Sequence, residues 1–270
     1  MNAVPAPLFG PIGFVAAFVW GAIWGSFANV VVVRLPRGGS LVRPSSHCTQ
    51  CSAPIRWYDN IPLISYWILR GRCRKCGAHF SPRYFFVELL MALLSMAVWW
   101  RAAYAESLPL ALSHFSIEFL FVGTLVVLSA IDLEHMILPD KITLPGIVVF
   151  FGLGFLEPGA PIWWHRLIGI TVGWGFVWLV AEIFYRLTKR EGLGLGDGKL
   201  LALVAALLGF QALPFVLFLG ALQGLLVAVP MRLLRRQQLL GVEIPFGPFL
   251  AAGAVETLFL GKWLWSLLVP

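Results

Sequence analysis

The stretch LPLALSHFSIEFLFVGTLVVLSAIDLEHMILPD, residues 108–140, decides the fold class. From Leu108 to Ile131 it is overwhelmingly apolar, with Glu118 its one acid, and it ends at Asp132. A helix needs about 20 apolar residues to cross a bilayer, so this segment reads as a transmembrane helix with a carboxylate at its end. Segments of the same kind recur at Leu8–Val33, Tyr84–Trp100, Ile142–Leu156, Arg166–Leu187, Lys199–Leu213, Pro214–Val229 and Phe246–Leu268. The sixth and seventh run together around Pro214, and Ile142–Leu156 is short for a span. Long apolar runs, and not the weak ten-residue alternation of a barrel, give an all-α membrane bundle of about eight transmembrane helices.

Composition agrees. Of 270 residues, 59% are hydrophobic and 12% charged, with a mean hydropathy of +0.85. A soluble domain carries about 25% charged residues, and a disordered chain carries few apolar ones, so both classes are excluded. The N-terminal apolar stretch has no Lys or Arg before Arg34 and exceeds a signal peptide's core, so it reads as a permanent first span.

The net charge of +7 belongs to one membrane face and does not indicate nucleic-acid binding. With eight spans and the N-terminus outside, nine cations from Arg34 to Arg83 fall inside. Lys141, Arg186, Lys189, Arg190, Lys199, Arg232, Arg235 and Arg236 join them. Only Arg101, Arg166 and Lys262 remain outside. Both termini are therefore expected outside, and the long polar loop in the cytoplasm. This divides the chain into a first transmembrane helix (1–33), a cytoplasmic loop domain (34–83) and a transmembrane core (84–270).

All four cysteines lie in that loop, as Cys48-x2-Cys51 and Cys73-x2-Cys76. Two close thiol pairs match the four soft ligands of a closed, tetrahedral structural zinc site. Two disulfides are the alternative, which a reducing cytoplasm disfavours. A loop this small has little core of its own and gains its fold from the metal. His47 and His79 read as bystanders, because four thiolates fill the shell.

Acids are scarce, thirteen in all, so those at membrane depth are informative. Asp132 closes the third span; Asp197, in Gly192-Leu-Gly-Leu-Gly-Asp-Gly-Lys199, opens the sixth. Two spans separate them, which returns both to one face. Two carboxyls in close approach cannot both ionise, so one is a base while the other holds a proton. Gly194, Gly196 and Gly198 would let an extended substrate backbone approach. The alternatives are a pair of interfacial helix caps, or a transporter's proton relay, which would place acids near mid-span.

These residues resemble the type IV prepilin peptidases, bifunctional leader peptidases and N-methyltransferases of the bacterial inner membrane and aspartic proteases of the Gly-x-Gly-Asp kind. The likeness covers most of the chain: Gly25 to Pro36, the cysteine pairs around Ile55-Arg-Trp-Tyr-Asp-Asn-Ile-Pro62, Ser81-Pro-Arg-Tyr84 with Glu88-Leu-Leu, Asp132 to Asp140, Gly194 to Leu200, and Ile244 to Ala251. Thr49 stands where Pro often follows the first cysteine. The resemblance implies Asp132 and Asp197 as the catalytic pair. It implies removal of a short basic leader from type IV prepilins or type II secretion pseudopilins, commonly between Gly and Phe. Methylation of the new N-terminus would follow, with S-adenosylmethionine as donor. The scissile bond would then lie at the cytoplasmic interface of the inner membrane. A signal-peptide-peptidase-type protease is the enzyme alternative, but it should lack the four-cysteine loop; an assembly scaffold or transporter is the non-enzyme one.

Glu134 and Asp140 could attract a basic leader. Glu88 and Glu182 could line the active cavity, whereas Glu118 and Glu256 sit in or beside spans. His114, His135 and His165 show no ligand spacing. Paired tryptophans such as Trp99-Trp100 and Trp163-Trp164 read as an aromatic belt, and Asn29 should make an interhelical hydrogen bond. No Gly-x-Gly-x-x-Gly fingerprint marks a soluble methyltransferase fold, and the donor site is not legible.

Overall fold

A computed structural model describes residues 10–103, 105–157, 159–189, 194–235 and 244–268. Leu8, Arg190, Gly192 and Arg236 of the reading above lie outside the described residues. Every one of the eight apolar segments contains a helix: α1 Pro11–Arg34, α2 Arg83–Ala102, α3 Leu108–His135, α4 Asp140–Leu153, α5 Trp163–Thr188, α6 Leu195–Leu208, α7 Leu213–Arg235 and α8 Gly247–Leu268. There is no β-strand among the described residues, only two isolated bridges. The protein is an all-helical membrane protein. Five helical segments are long and apolar enough to cross a bilayer: α1, α2, α3, α5 and Phe210–Met231, which includes most of α7.

Two helices are too short for that. α4 and α6 have 14 residues each, about 21 Å at 1.5 Å per residue against a hydrocarbon core of about 30 Å. The expected sixth span, Lys199–Leu213, is broken after Leu208 by Gly209. Its φ of +77° suits glycine, and a 3₁₀ turn at Phe210–Ala212 leads into α7.

The chain divides into two compact units, Met1–Val127 and Leu128–Pro270. In the first, α1 and α2 run antiparallel. A Cβ on Gly21 would lie 2.4 Å from the Met91 carbonyl oxygen, and one on Gly25 would lie 2.7 Å from Glu88 Cα. Two small residues four apart let the backbones touch, as membrane helices do when hydrophobicity cannot drive them together. Asn29 Nδ2 extends the seam by donating to the Tyr84 carbonyl at 3.0 Å, the interhelical bond expected of it. Arg101 grips Glu118 with Nε and Nη2 at 2.8–3.1 Å.

The second unit is built around α6, apolar on all sides and buried from Leu200 to Leu207. α5 runs antiparallel to it, with Gly169 against Ala205 and Gly173 against Leu201. α4 runs parallel, with Gly146 against Leu203 and Asp140 paired to Lys199 Nζ. α7 and α8 form an antiparallel pair through Gly220, Gly224 and Gly253. Arg166, one of the three cations counted on the outer side, is buried. It donates to the Phe151 carbonyl at 2.6 Å, near the C-terminal end of α4, and lies over the Phe151 and Phe155 rings. A cation there complements the negative helix end.

Candidate active site

Asp132 lies in the last turn of α3, at the helix end where the apolar run placed it. Asp197 lies in the first turn of α6, which starts at Leu195 after the extended cap residue Gly194. Both are buried, with relative exposures of 5% and 8%. Leu138 lies between their supports. A Cβ on Gly196 would come within 3.1 Å of Leu138 Cβ, and one on Gly247 within 3.5 Å of Leu138 Cδ1. The sequence-stretched separation of 65 positions is thus closed by folding, because α3 ends and α6 begins at one end of the second unit.

The backbone N–H of Gly247, the first residue of α8, donates to Asp132 Oδ2 at 3.0 Å. First-turn N–H groups have no partner within their own helix, so this contact satisfies a free donor and fixes the carboxyl's orientation. Gly247 belongs to the Ile244–Ala251 motif but was not singled out; a glycine at a helix start beside Pro248 was the available signal. A Cβ at this position would stand 2.6 Å from Oδ2 and displace the carboxyl.

The three glycines around Asp197 divide differently from expectation. Gly196 is filled by Leu138, and Gly198 by the Trp174 carbonyl and Val177 at 3.2–3.3 Å, so both serve helix packing. Of the three, Gly194 alone meets nothing outside its own segment, with Asp197 Oδ2 at 3.7 Å and Gly196 N at 4.0 Å from the position of a Cβ. Asp140, considered for leader contact, is engaged by Lys199 at 2.5 Å. Glu182 pairs with Arg186 one turn on, and Glu256 accepts from Gln223 Nε2 at 2.7 Å.

In the first unit, Glu88 accepts the Leu63 N–H at 2.8 Å, tying the polar loop to α2. Leu63 sits at φ +64°, an unusual conformation for a branched side chain, and the bond helps to hold it. The two cysteine turns in that loop are built alike. Cys48 N–H donates to Ala53 O and Ser52 N–H to Cys48 O; Cys73 N–H donates to Ala78 O and Gly77 N–H to Cys73 O. Ser52 and Gly77 both take positive φ to close the turns.

All four sulfurs lie within 4.8 Å of one another, with Cys48–Cys76 at 3.8 Å and Cys51–Cys73 at 4.0 Å. A disulfide needs about 2.05 Å, whereas tetrahedral bonds of about 2.3 Å to zinc put sulfurs about 3.8 Å apart. The backbone N–H groups of Cys51 and Gln50 pull the Cys48 thiol down to about 6. Cys76 is pushed up to about 12: the Ala78 N–H opposes this, but the Cys51 sulfur, burial and the remaining sulfurs outweigh it. Crowded thiolates repel, and a divalent cation at their centre relieves that. The donor set fits zinc.

The family described as "Bacterial Peptidase A24 N-terminal domain" matches residues 19–102, and "Type IV leader peptidase family" matches residues 119–229. Among curated relatives, a "Prepilin leader peptidase/N-methyltransferase" of Pseudomonas putida is 39% identical over 90% of this chain and 89% of its own length. Proteins of the same name from Dichelobacter nodosus (34%; 95% of each chain) and Neisseria gonorrhoeae (32%; 90% of this chain, 89% of the relative) are also similar. No solved structure matches the chain.

Proposed function

The chain belongs to the type IV leader peptidase family, and we propose that Asp132 and Asp197 are the pair with which it cuts. The protein is an inner-membrane prepilin leader peptidase and N-methyltransferase. The observation that carries the residue assignment is that two buried carboxylates stand beside Gly247 and Gly196, which both pack on Leu138 in the second unit.

The dyad shares one proton, and its titration belongs to the pair. The ionised carboxylate takes a proton from water, whose oxygen attacks the scissile carbonyl carbon. The protonated partner gives its proton to the carbonyl oxygen, forming a tetrahedral gem-diol. That intermediate collapses as the leaving amine gains a proton, and the C–N bond breaks. The Gly247 N–H keeps Asp132 aimed through these steps.

The freed amine is the nucleophile for methylation, for which S-adenosylmethionine is the donor that the activity calls for. Cys48, Cys51, Cys73 and Cys76 would hold zinc, whose positive charge fixes the two turns together as a structural centre.

The charge distribution supports a cytoplasmic loop, with both termini and the opposite helix ends periplasmic. Of the three cations on the outer side, Arg101 is neutralised by Glu118 and Arg166 is buried, which sharpens the asymmetry. A basic leader held on the cytoplasmic side would present its scissile bond at the interface, where α3 ends and α6 begins.

The test is the intact mass of a prepilin or pseudopilin co-expressed with this protein. Loss of the leader with gain of one methyl group, and loss of cleavage with either Asp132→Ala or Asp197→Ala, is the expected result. Cleavage that survives both substitutions would end the dyad assignment.

A further inference from the structure

The polar loop carries a surface that neither the metal centre nor the carboxylate pair uses. Within the helical turn Ile64–Ile68, Ser65 is buried, whereas Ile64, Trp67 and Ile68 are 55%, 70% and 67% exposed. Nearby Trp57, in a 3₁₀ turn, is 80% exposed. Large apolar side chains clustered on an otherwise polar segment mark a binding surface.

Two observations say what covers it. One is continuity. Trp67 meets the Phe85 ring edge-on at 5.7 Å, and Phe85 meets Phe86 at the same distance. Phe86, 62% exposed, lies in the first turn of α2, a helix apolar enough to cross the membrane. The apolar surface of the loop therefore runs on into that of a membrane helix.

The other is charge. Between Arg34 and Arg83 there are nine cations and one acid, Asp59. That acid is taken by Arg74, which binds it through Nε and Nη2. Arg70 and Arg72 directly follow the exposed turn and are themselves exposed. Tryptophan beside arginine is the composition of a membrane–water boundary, where rings sit among headgroups and cations meet lipid phosphates.

We propose that the segment from Trp57 to Arg72 lies on the bilayer, with Ile64, Trp67 and Ile68 among the headgroups and Arg70 and Arg72 on anionic lipid phosphates. The loop is then a platform seated on the membrane, continuous with the start of α2, and not a domain standing free in solvent. This follows from the loop's surface alone and holds whether or not Asp132 and Asp197 are catalytic.

The test uses the full chain in nanodiscs of phosphatidylglycerol or phosphatidylcholine. Photoreactive p-benzoylphenylalanine replaces Trp67 in one variant and Ile68 in a second. A third places it at Gln50, exposed on the first cysteine turn and outside the patch. Each variant is required to elute as a single species before irradiation, and adducts are read by peptide mass spectrometry. The expected result is lipid adducts at 67 and 68, few at 50, and several-fold more with phosphatidylglycerol. Adducts only to protein, whether a second copy or a pilin helix, would overturn the proposal, as would an absence of lipid adducts. Equal yields in both bilayers would overturn the role of anionic lipid.

Discussion

The Gly247 backbone N–H holds Asp132 Oδ2 at 3.0 Å, so the carboxylate at the end of α3 is oriented by the first residue of α8. The contact is specific to glycine, because the space a Cβ would need is occupied by the carboxylate itself. Gly247→Ala should therefore push Asp132 out of line and cut leader cleavage at least tenfold. Gly152→Ala, where a Cβ meets nothing within 4 Å, is the matched control and should leave cleavage and thermal stability unchanged. Initial cleavage rates with a purified prepilin decide it.

Asp132→Asn and Asp197→Asn preserve shape and remove the shared proton chemistry. Each should lower cleavage by about 10²–10⁴-fold, the usual contribution of a positioned acid or base. Methylation of an already trimmed pilin should persist, because the amine nucleophile needs neither carboxyl. A parallel loss of both activities would point to misfolding, which thermal unfolding of the purified variants would reveal.

Asp140 and Lys199 join the N-terminal ends of α4 and α6, two residues beyond Asp197. A partly exposed ion pair contributes about 0–1 kcal/mol, so either single neutralisation should barely move the melting temperature. Asp140→Asn should instead lower kcat, by loosening the end of α6, with KM for the basic leader little changed. Exchanging the two charges should restore much of the rate. A KM increase with unchanged kcat would return Asp140 to the leader-binding role read from sequence.

Purified protein should carry close to one zinc per chain, measured by elemental analysis. Metal is bound through thiolates, and protons compete with zinc for them, so metal content should fall on acidification and on exposure to a chelator. Cys48→Ser should reduce metal content and make the loop sensitive to limited proteolysis.

Glu88→Ala should free the Leu63 N–H and relax the loop where it meets α2, whereas Glu88→Gln keeps an acceptor. Faster hydrogen exchange at residues 61–66 in the alanine variant, and not in the glutamine one, is the expected pattern.

Much of this was legible without coordinates. Long apolar runs force helices, because a backbone in lipid must satisfy its own hydrogen bonds, and all eight segments contain one. Paired thiols at fixed spacing announced a cluster of four sulfurs able to hold a metal, and the fold brings all four within 4.8 Å of one another. The motif sequence from Gly25 to Ala251 announced the family. What the one-dimensional pattern could not give was distance. The end of α3 and the starts of α6 and α8 converge on the Gly247 N–H and on Leu138, and these contacts depend on glycines whose missing side chains matter only once a neighbour is in place. Gly196 and Gly198 looked like an open approach to Asp197 and are packed; Gly247 looked like a helix start and orients a carboxylate. Asp140, a candidate for contact with the leader, is paired with Lys199, and Arg166, counted among the outer cations, is buried. Charge and hydropathy are properties of residues and can be summed along a chain. Which donor meets which acceptor is a property of packing, and only the tertiary structure decided it.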